Sequence, residues 1–179
     1  MKEIILEDKK FKSYISHKQI EVELKRMAFE ISRDISNKKP LFICLLNGSF
    51  IFAADLLKRL DFSCAISFVK LKSYIGIQSS GTVQEIIGLN EPIEGRTIVV
   101  VDDIIDTGTT IFYLIKQLKE MKPADIKVAT MFFKPDACQY SLKIDYLGMM
   151  IVNKFVVGYG LDYNGLGRNN KDLYILSET

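Results

Sequence analysis

The stretch Val99-Val100-Val101-Asp102-Asp103-Ile104-Ile105-Asp106-Thr107-Gly108-Thr109-Thr110 runs from a β-branched segment through three aspartates into a threonine- and glycine-rich turn. Ile98 to Val101 favour an extended strand, and a helical period resumes from about Thr109 to Met121. The same order recurs elsewhere. Leu41 to Leu46 is a continuous apolar run, Asn47-Gly48-Ser49 breaks it, and Phe50 to Leu60 is helical. Ala65 to Leu71, Thr97 to Val101 and Ile126 to Phe133 read as further strands. Apolar runs of that length mark strands covered on both faces, and strand–turn–helix repetition implies right-handed βαβ units. The expected class is α/β, with a mainly parallel central sheet flanked by helices. Functional loops in such sheets lie beyond the carboxyl ends of the strands.

The turn after Val101 offers two kinds of surface. The amides of Asp106 to Thr110, with the threonine hydroxyls, form an anion nest at a helix N-terminus suited to a phosphate. Gly108 would permit the close backbone approach that a phosphate needs. Asp102 and Asp103 are expected to point to solvent at the strand end, where they can accept from a sugar diol or bind Mg²⁺ through water. Phosphate on one side and hydroxyls on the other suit a sugar phosphate. A plain solvated turn is the blander alternative. The Asp-Asp-x-x-Asp pattern of prenyl-diphosphate synthases is rejected, because that motif is helical and a β-branched strand precedes this one. Walker and Rossmann glycine patterns are absent, since Leu166 follows Gly165 where Lys-Ser/Thr would be needed.

Composition narrows the chemistry. The 179 residues fit one domain, residues 1–179, and such a chain hides about 70% of its unfolded surface, enough for a core without staples. With 24 basic and 22 acidic residues, the net charge of +2 is too balanced for broad nucleic-acid binding. Lys9-Lys10-Phe11-Lys12 and Lys38-Lys39 are expected to be solvated surface. The single histidine, His17, excludes zinc sites built on several imidazoles and falls in the first turn of a helix spanning Ser16 to Ser36. That helix carries an apolar stripe at Ile20, Leu24, Met27, Ala28, Ile31 and Ile35, and a surface or capping role is expected for His17. Carboxylates, lysines and backbone amides must therefore do most of the chemistry. Cys44, Cys64 and Cys138 are widely spaced without a CxxC, in keeping with reduced thiols. No apolar stretch spans a membrane, and the amino-terminal segment has too short an apolar centre for a signal peptide, so a cytoplasmic protein is expected.

Val99 to Thr110 resembles the phosphoribosyl-diphosphate (PRPP) signature of type I phosphoribosyltransferases. Leu45-Leu46-Asn47-Gly48, Lys72-Ser73-Tyr74, Lys134 and Lys154-Phe155-Val156-Val157-Gly158-Tyr159-Gly160-Leu161-Asp162-Tyr163 then follow in the order and spacing of hypoxanthine-guanine phosphoribosyltransferases. The resemblance covers roughly residues 40 to 168. It implies the type I phosphoribosyltransferase fold, with a mobile hairpin lid from Lys72 to Leu89 and a small hood formed by terminal segments.

The resemblance also implies roles. Asp102 and Asp103 would bind the ribose hydroxyls, directly or through Mg²⁺. Asp106, Thr107, Gly108, Thr109 and Thr110 would cradle the 5′-phosphate, with Asp106 also the general base beside purine N7. Asn47, Gly48, Ser73, Tyr74 and Arg168 would contact pyrophosphate, and Asp162 would join Asp102 and Asp103 as a metal ligand. Lys134 would donate to the purine 6-oxo group, Phe155 would stack on the base, and the Val156 and Asp162 carbonyls would face its 2-position. By itself Phe155-Val156-Val157 reads as a core strand, so packing is the competing reading for Phe155. Asn47 departs from the Lys or Arg that many relatives carry.

The implied activity is purine salvage, making IMP or GMP from PRPP and a purine base, by a homodimer or homotetramer with neither nucleic acid nor membrane as partner. Two alternatives stand beside it: a nucleotide-sensing regulator of the same fold, and a transferase for xanthine or a pyrimidine.

Overall fold

The computed structural model describes residues 2–75 and 82–177. Ten strands and three α-helices follow in the order β1 Glu3–Leu6, β2 Lys9–Ile15, α1 His17–Ile35, β3 Leu41–Leu45, α2 Phe50–Leu57, β4 Ala65–Ile75, β5 Thr82–Ile87, β6 Thr97–Ile105, α3 Thr109–Glu120, β7 Asp125–Phe133, β8 Tyr146–Met150, β9 Val156–Val157 and β10 Leu173–Leu176 among the described residues.

The main sheet has the order β5-β4-β3-β6-β7-β8. Strands β4, β3, β6, β7 and β8 are parallel, and β5 returns antiparallel beside β4. Successive side chains of β3 serve different layers. Phe42 and Cys44 pack with the stripe of α1 and with Phe52 and Leu56 of α2. Leu41, Ile43 and Leu45 pack with Ile111, Leu114 and Leu118 of α3. Both faces being covered, β3 is apolar at every position and wholly buried. The α1 stripe is buried at all six expected positions. Its first turn is closed by the Ser16 amide, which donates to Gln19 Oε1 at 3.0 Å.

From β3 the chain passes through α2 to β4 on one side, then re-enters on the other side as β6. The strand order reverses there, which opens a crevice beyond the carboxyl ends of β3 and β6. A second, antiparallel sheet of order β1-β2-β10-β9 forms the expected hood from both ends of the chain.

Two expectations change. The basic run Lys9-Lys10-Phe11-Lys12 is not a plain solvated surface: it is half of β2, with Phe11 fully buried against Val157 and Tyr174. Strand β6 does not stop at Val101 but continues to Ile105, paired with β7 as far as Phe133, so the two aspartates lie within the sheet. The arms of the expected hairpin pair from Lys70↔Ile87 to Ile75↔Thr82. Its tip, residues 76–81, where the lid was expected, lies outside the described residues. No helix among the described residues is long and apolar enough to cross a membrane.

Candidate active site

Four segments meet at the crevice: the turn after β3, the end of β6 with its turn into α3, the residue after β7, and the loop between β9 and β10. Register brings the first chemical pair together. Ile105 of β6 lies opposite Phe133 of β7, and the Lys134 amide donates to the Ile105 carbonyl at 3.0 Å. The next residue after each strand carries a charged side chain. Lys134 Nζ stands 2.6 Å from Asp106 Oδ2, the lysine side chain being 6% exposed and the aspartate 47%. A buried ammonium needs such a partner, while the open carboxylate keeps access to solvent or ligand.

Beyond Asp106 the chain turns through Thr107 and Gly108 into α3. Gly108 takes φ +80°, and a Cβ there would lie 2.9 Å from both Cys138 Sγ and Leu142 Cδ1. The left-handed backbone and the packing behind the turn both favour glycine there, beside the phosphate approach expected. Thr107 Oγ1 donates to Thr109 Oγ1 at 3.0 Å, and the Thr109 amide points at Thr107 Oγ1 at 3.4 Å. No described carbonyl or side chain accepts from the Thr107 and Gly108 amides. Thr107 and Thr110 are exposed and Thr109 half-buried, so the nest faces outward at the first turn of α3.

The two aspartates within β6 behave differently from expectation. Asp103 does not point to solvent. It is 5% exposed and turns under Gly48, and its Oδ2 is buried with no hydrogen-bond partner among the described residues. A Cβ on Gly48 would run into that carboxylate. The extension of the strand is the physical reason: paired backbone carries Asp103 into the layer beneath the β3 turn. Asp102 keeps partial exposure, and its Oδ1 accepts from the Asp103 amide at 3.2 Å. Loss of hydration raises the proton affinity of both carboxyls, and for Asp102 the neighbouring Asp103 charge adds to it.

The turn after β3 supplies one wall of the crevice. The Leu46–Asn47 peptide bond is cis. Asn47 is exposed and Gly48 half-buried, and among the described residues neither amide has an intramolecular acceptor. Ser49, fully buried, donates from Oγ to the Leu45 carbonyl at 2.5 Å.

The loop after β9 supplies the other wall. Gly160, at φ +101°, is packed so closely that a Cβ would run into the Gly48 carbonyl oxygen. Arg168 reaches back along this loop, donating from Nη1 to the Gly160 carbonyl at 2.7 Å and from Nη2 to Asp162 Oδ1 at 2.5 Å. Asp162 Oδ2 accepts from the Gly165 amide at 2.7 Å, so both oxygens of that carboxylate are engaged. Asp103, Gly48 and Gly160 thus form a stack of three chain segments, with Arg168 above it. Gly160 was not singled out beforehand, although the Gly-Tyr-Gly triplet was the readable signal.

Phe155 lies outside the core. Strand β9 begins at Val156, which is buried, and the Phe155 ring is 45% exposed beside Phe11 and Tyr163 at centroid distances of 6.2 and 5.9 Å. The ring therefore presents a face to solvent instead of completing the strand's packing, which removes the competing reading. Ser73 and Tyr74 have backbone pairs Gln84 and Val83 in the β4–β5 hairpin, and their side chains lie outside the described residues.

For a metal, the candidate donors are Asp102, Asp103 and Asp162: Asp103 has a buried, unpartnered oxygen, while both Asp162 oxygens are engaged by Arg168 and Gly165. Among the described residues no three acidic, histidine or cysteine side chains gather closely enough to hold an ion alone. That donor set fits Mg²⁺, which keeps waters and is commonly held by one or two carboxylates plus substrate phosphates.

Residues 11–164 match the model of the phosphoribosyl transferase domain. The chain is 37% identical over 161 residues to a hypoxanthine-guanine-xanthine phosphoribosyltransferase of Tritrichomonas foetus, covering 89% of this chain and 88% of the relative. It is 40% identical over 155 residues to a hypoxanthine-guanine phosphoribosyltransferase of Streptococcus pyogenes, covering 86% of each. The crystal structure of a hypoxanthine phosphoribosyltransferase from Staphylococcus aureus superposes with a TM-score of 0.86 at 30% identity, covering 93% of this chain and 91% of that one.

Proposed function

The chain belongs to the phosphoribosyl transferase domain family, among the hypoxanthine-guanine phosphoribosyltransferases, and on that footing we propose that residues 1–179 act as one domain transferring 5-phosphoribosyl from PRPP to N9 of hypoxanthine or guanine. The products are IMP or GMP and pyrophosphate. The Lys134–Asp106 pair at 2.6 Å, beside the outward-facing turn at the first turn of α3, carries this reading. A 6-oxopurine presents O6 and N7 on one edge. An ammonium and a carboxylate side by side meet that edge with a donor for O6 and an acceptor for an N7 proton. Adenine would oppose its amino group to Lys134, donor against donor.

In the reaction N9 attacks C1′, the C1′–oxygen bond to pyrophosphate breaks with its electrons leaving on pyrophosphate, and the N7 proton passes to Asp106. The nest from Asp106 to Thr110 holds the 5′-phosphate. Asp102, which keeps partial exposure, faces the ribose hydroxyls, while Asp103 is buried under Gly48. The Asn47 and Gly48 amides and Arg168 take the pyrophosphate, and Ser73 and Tyr74 approach it from the hairpin. Phe155 stacks on the base, whose 2-position meets the Val156 and Asp162 carbonyls. Asp102 and Asp103, and Asp162 on the pyrophosphate side, would be the protein ligands for Mg²⁺ together with substrate oxygens, and the ion would supply neutralisation of the leaving charge.

A cytoplasmic setting is in keeping with three free cysteines. A homodimer or homotetramer is supported by Ile66 and Phe68, each 45% exposed two residues apart on β4 and so on one face of it. The T. foetus relative, whose name includes xanthine, favours that base as a third substrate. The test is nucleotide formation from PRPP and Mg²⁺ across hypoxanthine, guanine, xanthine, adenine, uracil and orotate. Turnover with the 6-oxopurines alone is expected, and absence of turnover with every purine overturns the proposal.

A further inference from the structure

We infer that Asp55 and Tyr159 act as a positioning pair that sets the gap of the pyrophosphate site. This rests on the reading above, in which the Asn47–Gly48 turn and the Gly160–Arg168 loop are the two walls of that site. Tyr159 lies between Gly158 and Gly160 at φ +50°, a left-handed value that a residue bearing a Cβ adopts only when its surroundings hold it there. Its ring is 1% exposed and meets Phe132 of β7 edge-on, with centroids 6.3 Å apart. Its hydroxyl donates to Asp55 Oδ2 at 3.1 Å. Burial and the Asp55 carboxylate together push the phenol well above the ordinary tyrosine range, so it remains a donor.

Asp55 sits within α2, the helix that starts directly after Asn47-Gly48-Ser49. It is held on its own side as well. Lys58 Nζ lies 3.1 Å from Asp55 Oδ1, and Arg59 donates to the Asp55 carbonyl at 2.5 Å while its Nη2 pairs with Glu21 of α1 at 2.5 Å. The two walls therefore touch twice. One contact is Gly160 against the Gly48 carbonyl, and the other is Tyr159 against Asp55. One contact alone would leave a hinge, whereas two fix both separation and angle. A tyrosine at a position whose backbone favours glycine is a local cost, and the tether to α2 is what it secures.

The test is steady-state kinetics combined with calorimetric binding of Mg²⁺-pyrophosphate. Tyr159→Phe keeps the ring against Phe132 and removes only the hydroxyl. Because the hydroxyl acts on the site only through the loop, part of the worth of a hydrogen bond to a charged acceptor reaches binding, and the KM for PRPP and the Kd for pyrophosphate should rise about three- to tenfold. The KM for hypoxanthine should rise less than the KM for PRPP and kcat should change by less than about twofold, because Lys134 and Asp106, which meet O6 and the N7 proton, follow β7 and β6 and lie outside the Tyr159 loop. Asp55→Ala should reproduce Tyr159→Phe, the double variant should be no worse than either single, and Asp55→Asn, which keeps an acceptor for the phenol, should restore PRPP and pyrophosphate binding. Unchanged PRPP and pyrophosphate binding in folded Tyr159→Phe overturns the inference. So does an equal rise in the KM for hypoxanthine, which would mean general loosening. If Tyr159→Phe does not fold, the Asp55 variants decide: equal behaviour of Ala and Asn overturns the pair. Absence of phosphoribosyl transfer in the wild type would count against the proposed function alone, since pyrophosphate binding is measured without turnover.

Discussion

Lys134 Nζ and Asp106 Oδ2 are 2.6 Å apart at the ends of adjacent parallel strands, so the donor and the acceptor satisfy each other. On the proposed function, a purine edge that enters would take over both bonds, and only a base with an acceptor at position 6 could take Lys134. Replacing Lys134 with Ala removes the donor that adenine would oppose. The loss of a charged hydrogen bond, about 1.5–3 kcal/mol, predicts a fall in kcat/KM for hypoxanthine of about 10- to 150-fold. Adenine should lose far less, so the ratio of the two kcat/KM values narrows. An unchanged ratio would remove Lys134 from base selection.

Asp106→Asn keeps the shape of the side chain and a donor–acceptor contact with Lys134, but it cannot take a proton. General-base catalysis contributes about 10²–10⁴-fold, so kcat should fall by that order while the PRPP dissociation constant moves by less than about threefold. Pre-steady-state transfer and equilibrium PRPP binding measure the two separately. Equal losses in both would make Asp106 a substrate-positioning group instead of the base.

These two residues show what was legible in the sequence. Each lies at a strand end that the local pattern made readable, and the chemistry expected of each came from the family resemblance. Their contact was in neither, because it depends on the Ile105↔Phe133 register between strands far apart in the chain. The six buried positions of α1 were readable for the same local reason, a helical period that is either present or absent. Asp103 was misread because a carboxylate near a strand's end looks the same in sequence whether the pairing stops before it or continues past it. The hood was readable only through the family resemblance. Phe11 is a lone inward residue among lysines, and its strand finds its partner at Leu173–Leu176, a pairing that no local pattern announces.

Burial pushes the Cys44 thiol up to about 12, against an ordinary value near 9. The thiolate is the nucleophile, so at pH 8 only about one Cys44 side chain in 10⁴ is reactive even before access is considered. Cys64 and Cys138 are half-buried. Iodoacetamide at pH 8 should therefore modify native protein at Cys64 and Cys138 and leave Cys44 untouched until denaturant is added. Peptide mass mapping reads this directly, and early alkylation of Cys44 would mean that β3 opens in the native state.

His17 contributes through its backbone. Its amide donates to Asp172 Oδ1 at 2.7 Å, and its ring, 39% exposed, lies 3.5 Å from Glu21 Oε1. His17→Gln keeps the amide contact and removes the imidazole. Turnover should stay within about twofold and stability within about 0.5 kcal/mol, the usual range for an exposed substitution. A tenfold loss of kcat would show that the chain's one imidazole takes part in the reaction.

Gly160 and Gly165 separate backbone strain from the shape of the site. Both take left-handed φ values, +101° and +83°, but a Cβ on Gly160 would run into the Gly48 carbonyl oxygen, whereas a Cβ on Gly165 meets nothing within 4 Å. Gly165→Ala therefore carries the conformational cost alone, about 1 kcal/mol, which lowers Tm by about 2–4 °C in a chain of this size. Gly160→Ala adds a collision with backbone that cannot rotate away, so its Tm should fall further. The collision also forces apart the two walls that would hold pyrophosphate, whereas Gly165→Ala leaves them in contact. Saturating PRPP with Mg²⁺ should raise the Tm of wild type and Gly165→Ala alike, by the linkage between binding and unfolding, and fail to raise that of Gly160→Ala. Equal ligand-induced shifts in the two variants would mean that the Gly48–Gly160 contact has no part in holding PRPP.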